Sequence, residues 1–178
     1  MMHFKIGDRA VYPGQGVAEI TGIESRKISG TTVVLYMLRV LDTDRRIMIP
    51  VSKVKQVGLR KVIDDEQIER VFQVLRAQSK PPSKQTWNRR YRTYLEKINT
   101  GSLHDIAEVM RDLSRLKYSK ALSFGERKML DQARTLLVKE ISVARELTEE
   151  AIDAELEALI ATSHIVAPDD KPAEAVAR

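Results

Sequence analysis

Gly7-Asp8-Arg9-Ala10-Val11-Tyr12-Pro13-Gly14-Gln15-Gly16 is the stretch that decides the fold, because it sets a short strand between two turns. Glycine with aspartate precedes the strand, and a Pro-Gly pair ends it. The same pattern of short strand-like runs continues through residues 5–57, where turn residues occur about every eight to twelve positions. This spacing is typical of a small β-barrel or sandwich.

Five strands are predicted in this segment, at residues 9–12, 16–28, 32–41, 45–50 and 55–59. Five strands in about sixty residues indicate a small Tudor-like or SH3-like barrel. Alternation along the third and fourth strands points one set of side chains inward: Tyr36, Leu38, Val40, Ile47 and Ile49. It points a second set outward: Leu35, Met37, Arg39 and Met48. Met37 and Met48 would then share an adaptable protein-binding face. The alternative is that the helical part of the chain covers them.

Helical spacing replaces the strand pattern after residue 60 and predicts five helices, at residues 64–77, 85–99, 103–117, 124–146 and 149–161. Four of them begin with a capping residue: Asp64, Ser102, Ser123 and Thr148. Lys80-Pro81-Pro82-Ser83 separates the first two helices, and Gly101 is placed to end the second.

The fold class is therefore α+β, with a β-barrel followed by a compact five-helix domain. The predicted boundaries are 1–60 for the barrel domain and 61–162 for the helical domain. Residues 163–178 are rich in Ala, Pro and Asp and resemble a disordered tail.

Charge is distributed unevenly in this chain of 178 residues and net charge +5. Residues 76–128 hold 13 Lys and Arg against 5 Asp and Glu, whereas residues 129–178 hold 5 against 11. A basic block of this asymmetry predicts a surface that binds a polyanion. The sequence has no window long enough for a membrane span, no apolar signal core and no cysteine, so a cytoplasmic protein is expected.

Catalysis finds little support in the sequence. His3, His104 and His164 are far apart, and none has another His or a Cys at metal-ligand spacing. The Gly-x-Gly at Gly14 lacks the third glycine and the helix of a dinucleotide site, and no P-loop occurs. We therefore predict no catalytic residue, no metal, no cofactor and no enzyme.

The best clue to function is the heptad Thr86-Trp87-Asn88-Arg89-Arg90-Tyr91-Arg92, which contains the only tryptophan. Helical periodicity favours a buried Trp87, in one stripe with Tyr91, Tyr94, Leu95 and Ile98. Its place in the first helical turn, after two prolines, favours a ring that projects into solvent beside the arginines. An exposed aromatic beside guanidinium groups is typical of nucleic-acid binders.

Four segments in order give the chain a strong resemblance to the CarD/CdnL family of bacterial transcription regulators. They are Gly7 to Gly16, Val71-Phe72-Gln73-Val74-Leu75-Arg76, Trp87-Asn88-Arg89-Arg90-Tyr91 and Leu122-Ser123-Phe124-Gly125-Glu126-Arg127-Lys128-Met129-Leu130. The resemblance covers about residues 1–160 and is closest to the myxobacterial CdnL branch.

The resemblance implies a Tudor-like domain that binds the RNA polymerase β subunit, and a helical domain that contacts promoter DNA at the upstream edge of the −10 element. It implies that Trp87 is a minor-groove wedge, with Asn88, Arg89, Arg90 and Arg92 as its DNA-binding companions. The expected polymerase-binding residues are Arg26, Met37, Met48 and Pro50. Mycobacterial relatives have arginine where this chain has Met48, so an apolar contact is expected at that position.

The sequence thus predicts a monomeric, polymerase-tethered regulator that stabilises the open promoter complex and associates with the nucleoid through RNA polymerase. The alternative is a sequence-independent nucleic-acid-binding protein of the RNA chaperone type, not tethered to polymerase, whose barrel contacts RNA directly. A nuclease is the third reading, and it lacks a metal or phosphate constellation.

Overall fold

The N-terminal half of the computed structural model is an antiparallel sheet, and residues 3–78 and 85–165 of the chain are described. Its strands are β1 (Arg9–Tyr12), β2 (Gly16–Ile28), β3 (Thr31–Val40), β4 (Arg46–Pro50) and β5 (Arg60–Lys61). The order across the sheet is β4-β3-β2-β1-β5. In the part of the chain that the structure describes, this sheet is open, with β4 and β5 as its edges.

The long β2–β3 hairpin turns at Ser29 and Gly30, which both have positive φ, 49° and 84°. Two central residues with positive φ form the tight turn whose twist matches that of paired strands. The inner face of the sheet carries the first core, where the Tyr36 hydroxyl accepts a hydrogen bond from the Phe4 N–H at 3.2 Å. The Phe4 and Tyr36 rings also pack edge to face, so residues before β1 close this core.

The predicted fifth strand at residues 55–59 is wrong. After β4 the chain forms a 3₁₀ turn, Val51–Lys53, and then the short helix α1 (Val54–Val57). Val54 is buried, and Gly58 ends the helix at φ 75°. A valine spacing of three suits a helical turn as well as a strand, and glycine with positive φ terminates helices. The fifth strand is the two-residue β5, paired with β1.

The predicted faces of β3 and β4 are confirmed except at one residue. Tyr36, Leu38 and Ile49 are buried on the inner face, and Met48 on the outer face is 51% exposed. Leu35 was expected outside but is buried. It pairs with Pro50, and β3 contacts the 3₁₀ turn that follows Pro50. The chain leaving β4 therefore covers Leu35.

The five predicted helices are confirmed as α2 (Asp65–Arg76), α3 (Trp87–Asn99), α4 (Leu103–Ser119), α5 (Phe124–Arg145) and α6 (Glu149–Ile165). Asp64 and Ser123 form capping boxes with Gln67 and Glu126. The Ser102 hydroxyl accepts from the Asp105 N–H, and the Thr148 hydroxyl accepts from the Ala151 N–H. These bonds satisfy amide groups that a helix start otherwise leaves open.

The helices enclose a second core, which is centred on apolar residues with no exposed surface: Ile68, Leu75, Ile98, Leu113, Leu137, Ile141, Ile152 and Leu156. Among the described residues, no helix combines the length and the apolar character needed to cross a membrane. The predicted break at residues 80–83 lies outside the described residues. Helix α6 continues to Ile165, three residues into the predicted tail, and residues 166–178 also lie outside.

The two cores meet along a seam at one end of the sheet. Glu140 of α5 is 2% exposed and binds Arg60 of β5 through both carboxylate oxygens, at 2.6 and 2.9 Å. Arg60 also donates to the Gly101 carbonyl, and the Ile63 N–H donates to Glu140. A Cβ on Gly101 would lie 3.1 Å from Pro13, so glycine permits this close approach. Arg60 thus joins the sheet to α5 and to the connection between α3 and α4.

Candidate nucleic-acid interface

Helix α3 begins at Trp87 and is anchored by its later turns. Tyr94 and Ile98 are buried in the helical core, and Leu95 packs against it. Trp87 is half-buried against the same core. The indole therefore does not project freely beyond the helix end, nor is it fully buried. The sequence had offered these two extremes, and the structure lies between them.

Three neighbours surround the indole of Trp87. A Cβ placed on Gly125, at the start of α5, would lie 3.2 Å from Cζ2 of the ring. Tyr91 packs one turn along α3, with ring centroids 5.6 Å apart and planes inclined at 60°. The Arg90 guanidinium lies 5.8 Å from the indole centroid, within cation–π range. We call Arg90, Tyr91 and Gly125 the indole seat.

Behind the indole seat lies a buried carboxylate, Glu126, which is 1% exposed. It accepts hydrogen bonds from the Ser123 N–H at 2.8 Å and from the Lys120 ammonium at 3.0 Å. Burial disfavours its ionised form, but the Ser123 bonds and Lys120 outweigh burial and lower the pKa of Glu126. The negatively charged carboxylate of Glu126 therefore lies between α3 and α5.

The arginines of the heptad have different surroundings. The Arg90 side chain is 15% exposed, and its terminal nitrogen lies 3.5 Å from a Glu126 oxygen. The Nε of Arg90 is buried and has no hydrogen-bond partner among the described residues. Arg89 and Arg92 are exposed, and their guanidinium groups form no ion pair with any residue that the structure describes. Asn88 is exposed as well. These three side chains are thus available to a ligand, whereas Arg90 faces the protein.

Two exposed aromatic side chains lie at the same end of the helical part. Tyr91 and Tyr94 both belong to the stripe predicted to face the core, but only Tyr94 is buried, and Tyr91 is 40% exposed. Phe124, the first residue of α5, is 74% exposed and immediately precedes Gly125. Phe124 was not among the residues predicted to form a binding site. Helical spacing could have placed it outside, because it lies off the stripe that Met129 and Ala133 turn toward the core.

Internal partners neutralise part of the basic block. Lys97 binds Glu108, Arg111 binds Asp112, and Lys120 binds Glu126. The Arg127 guanidinium donates to the Leu122 carbonyl at 2.9 Å. A count of charged residues in the sequence gives every cation the same weight. An ion pair within the protein, however, weakens the attraction of that cation for a polyanion. The exposed cations beside the indole seat, Arg89 and Arg92, have no such internal ion pair among the described residues.

The residues predicted to bind polymerase lie together on the outer face of the sheet. Met48 pairs with Met37 across β3 and β4, and Pro50 lies two residues further along β4. Arg26 pairs with Val33, which alternation places on the same face as Met37. Arg26 forms an exposed ion pair with Glu24 at 2.9 Å. We call Arg26, Met37, Met48 and Pro50 the outer face.

One group of side chains has the spacing of a cation site, although His104 was not predicted to bind a metal. Among the described residues, His104, Asp105 and Glu108 of α4 offer ligand atoms within 4.8 Å of one another. Both carboxylates already have partners, since Lys97 binds Glu108 and the Thr100 hydroxyl donates to Asp105. Their charges therefore serve the α3–α4 connection.

Two family models match the chain and together cover most of it. Residues 4–63 match the CarD-like/TRCF RID domain, and residues 70–157 match the CarD C-terminal domain. The putative transcription factor YdeB of Bacillus subtilis is 34% identical over 149 residues, which is 84% of this chain and 97% of the relative.

Solved structures similar to the chain correspond to its N-terminal part. The N-terminal domain of CdnL from Myxococcus xanthus is 51% identical, with 36% of this chain and 92% of that chain covered, at a TM-score of 0.32. The 72-residue N-terminal domain of Myxococcus xanthus CarD is 31% identical, with 34% and 81% covered, at a TM-score of 0.30.

Proposed function

Because this chain belongs to the CarD family of transcription factors, we propose that it binds RNA polymerase through its sheet and stabilises open promoter DNA through the start of α3. The observation that carries the proposal is the half-buried Trp87, bordered by exposed aromatic residues and by Arg89 and Arg92, which form no ion pair within the described part of the chain. The protein then acts as a cytoplasmic monomer without catalysis. The family is a type of transcription factor and not a known class of enzyme.

The proposed role of Trp87 is a wedge at the upstream edge of melted DNA. An opened promoter has an unstacked edge that can close again, and a ring inserted there occupies the place of the closing base pair. Insertion costs roughly a few kcal/mol of unstacking in intact duplex and less where the DNA is already distorted. The ring therefore binds the open state more tightly, and this difference in affinity shifts the equilibrium.

The surroundings of Trp87 suit this role. Half-burial in the indole seat fixes the ring before DNA arrives, so little side-chain freedom is lost on binding. Exposed Tyr91 and Phe124 offer further surfaces on which bases can stack. Asn88, Arg89 and Arg92 can bind phosphates, which position the protein without reading sequence.

The outer face is the proposed contact with the β subunit of RNA polymerase. The match of residues 4–63 to an RID domain indicates an interaction with RNA polymerase, and the geometry supports one apolar patch for it. Met37 and Met48 are adjacent and adaptable, and Pro50 lies beside them on the edge strand β4. Tethering raises the local concentration of the helical part at the promoter, so weak DNA affinity suffices.

The test of the wedge is the lifetime of the open complex with Trp87→Ala. Stacking of a base on an aromatic side chain is worth about 1–3 kcal/mol, so we expect the lifetime to fall about tenfold. Competitor challenge of complexes formed by polymerase, promoter DNA and the full chain measures the lifetime.

Tyr118→Ala is the matched control for Trp87→Ala, because it removes an exposed aromatic side chain of α4 away from the indole seat. Its lifetime should equal that of the wild type. A folded Trp87→Ala protein with a wild-type lifetime would refute the wedge. Recovery of RNA but not polymerase by the full chain would favour the RNA chaperone alternative.

A further inference from the structure

The start of α5 places a full negative charge beside the helix that carries Trp87. Glu126 is buried, and its carboxylate accepts from the Ser123 N–H in the capping box and from the Lys120 ammonium. A capping box needs only an acceptor at this position, and glutamine serves as well as glutamate. Capping α5 therefore does not require the charge of Glu126, which faces Lys120 at 3.0 Å and a cation of α3 at 3.5 Å.

Arg90 is the group that this charge reaches on α3. Its terminal nitrogen lies 3.5 Å from Glu126 Oε1, while its guanidinium carbon lies 5.8 Å from the centroid of the Trp87 ring. The same planar cation thus faces a carboxylate and an indole. Its Nε is buried without a hydrogen-bond partner among the described residues, so hydrogen bonding alone does not account for its position.

A second contact of the indole comes from the residue before Glu126. Gly125 lies so close to Trp87 that a Cβ there would be 3.2 Å from Cζ2 and 3.5 Å from Nε1. Such a distance is tighter than ordinary van der Waals contact, so a side chain at residue 125 would require the ring to shift by a few tenths of an ångström. Two consecutive residues of α5 therefore determine where the indole lies, one by charge and one by lack of a side chain.

We propose that Glu126 and Gly125 are positioning residues for Trp87. Glu126 holds the Arg90 guanidinium against the indole, and Gly125 leaves the space into which the ring fits. Neither residue needs to touch DNA. The placement of Trp87 can be measured without DNA, and only its consequence for transcription rests on the proposed function.

The single tryptophan of the chain makes this proposal directly measurable. Acrylamide quenching of fluorescence from the full-length protein reports the accessibility of the Trp87 ring alone. Glu126→Gln keeps an acceptor for the Ser123 N–H but removes the charge that faces Arg90. We expect the quenching constant to rise about twofold or more, because an exposed cation–π contact is worth a two- to fivefold preference.

Glu108→Gln is the matched control, because Glu108, whose side chain is 26% exposed, also binds a cation of α3, Lys97. It removes the same charge and also loosens α3 from its neighbour. Its quenching constant should equal that of the wild type. An equal rise in both variants would mean that Trp87 responds only to a loosened α3, and it would overturn the positioning role of Glu126.

Gly125→Ala provides an independent test that does not weaken the helix, since alanine is the better helix former. Its added methyl group must displace the indole, so we expect increased quenching and a shifted emission maximum at wild-type helical content by circular dichroism. If Glu126→Gln does not fold, Gly125→Ala decides the proposal. Wild-type emission and quenching in Gly125→Ala would overturn it.

The lifetime of the open complex separates this inference from the proposed function. If the ring is both positioned and used as a wedge, Glu126→Gln should shorten the lifetime toward that of Trp87→Ala. Altered fluorescence in Glu126→Gln together with a wild-type lifetime in Trp87→Ala would support the positioning role and refute the wedge. Unaltered fluorescence in folded Glu126→Gln would refute the positioning role, whatever Trp87→Ala does.

Discussion

At the scale of single residues, neighbouring arginines of α3 differ in their partners and should differ in function. Arg89 and Arg92 are exposed without ion pairs among the described residues, whereas Arg90 faces Glu126 and Trp87. Each phosphate contact contributes about one unit to the slope of log affinity against log salt. We expect Arg89→Gln and Arg92→Gln each to reduce the slope by about 0.9.

Arg90→Gln should weaken DNA binding with less change in the salt slope, because it disturbs the indole seat more than it removes a phosphate contact. Fluorescence titration of DNA at several salt concentrations gives all three slopes. A slope reduced as much by Arg90→Gln as by Arg92→Gln would show that Arg90 leaves Glu126 and binds phosphate. That result would favour the role that the family resemblance implies for Arg90.

The location of the candidate site could be predicted from the sequence, but which of its side chains are buried and which are exposed could not. Helical periodicity put Trp87, Tyr91, Tyr94, Leu95 and Ile98 in one stripe, and Tyr94 is buried as this predicts, yet the ring of Tyr91 is exposed. A stripe fixes the direction of a side chain only where a neighbouring helix covers that direction. At the start of α3 the Trp87 ring is covered by Gly125, which lies 38 positions further along the sequence. Because glycine has no side chain, its residue type does not indicate a packing contact. No local pattern contains such information.

At the scale of elements, helix starts were predicted well and the end of the sheet was not. Asp64 and Ser123 act within three residues through hydrogen bonds to the backbone, so a short motif contains the whole interaction. Strand β5 has two residues, and only its pairing with β1 defines it. Val11 and Arg60 are far apart in the sequence, and their pairing depends on the tertiary fold. Such pairing produces no periodic pattern of residues from which the strand could be predicted.

The sheet offers a test of polymerase binding that belongs to one of its faces. Met48 is exposed beside Met37 on the outer face, and an unpaired arginine introduced there would lose its water in an apolar contact. We expect Met48→Arg to bind RNA polymerase about tenfold more weakly, a cost of about 1.4 kcal/mol. Titration of the labelled full chain with polymerase measures the affinity.

Val34→Arg is the matched control for Met48→Arg. Val34 is also exposed and also on the sheet, but alternation places it on the face of Tyr36, opposite to Met48. Its polymerase affinity should equal that of the wild type. Equal weakening by the two variants would indicate a general effect of charge on the sheet and would contradict a polymerase contact confined to the outer face.

At the scale of the whole molecule, the seam determines whether the two surfaces act together. The sheet that carries the outer face and the helices that carry the indole seat pack around different cores, and Arg60 links these two parts through Glu140 of α5 and the Gly101 carbonyl. Lys139 of α5 adds a second link, to Asp42 after β3, at 2.9 Å. A tether positions a wedge best when the connection between them is stiff, because a flexible one spreads the ring over many placements.

Glu140→Gln should weaken this seam. Removing one partner of a buried ion pair costs about 3–5 kcal/mol when both groups are enclosed, and Arg60 is partly exposed, so we expect a loss of about 2 kcal/mol in the free energy of unfolding. Urea denaturation followed by circular dichroism measures this loss. The open-complex lifetime should fall as well, while polymerase affinity stays at the wild-type value because the outer face is intact.

Glu66→Gln is the control that isolates burial, because Glu66 also lies 2.6 Å from an arginine, Arg70, but both side chains are exposed. Exposed pairs of this kind contribute about 0–1 kcal/mol, so its unfolding curve should nearly match that of the wild type. If Glu140→Gln and Glu66→Gln lose equal stability, the Arg60–Glu140 pair does not hold the seam. If Glu140→Gln loses stability but keeps a wild-type open-complex lifetime, the seam supports the fold, and the wedge does not depend on a stiff connection to the sheet.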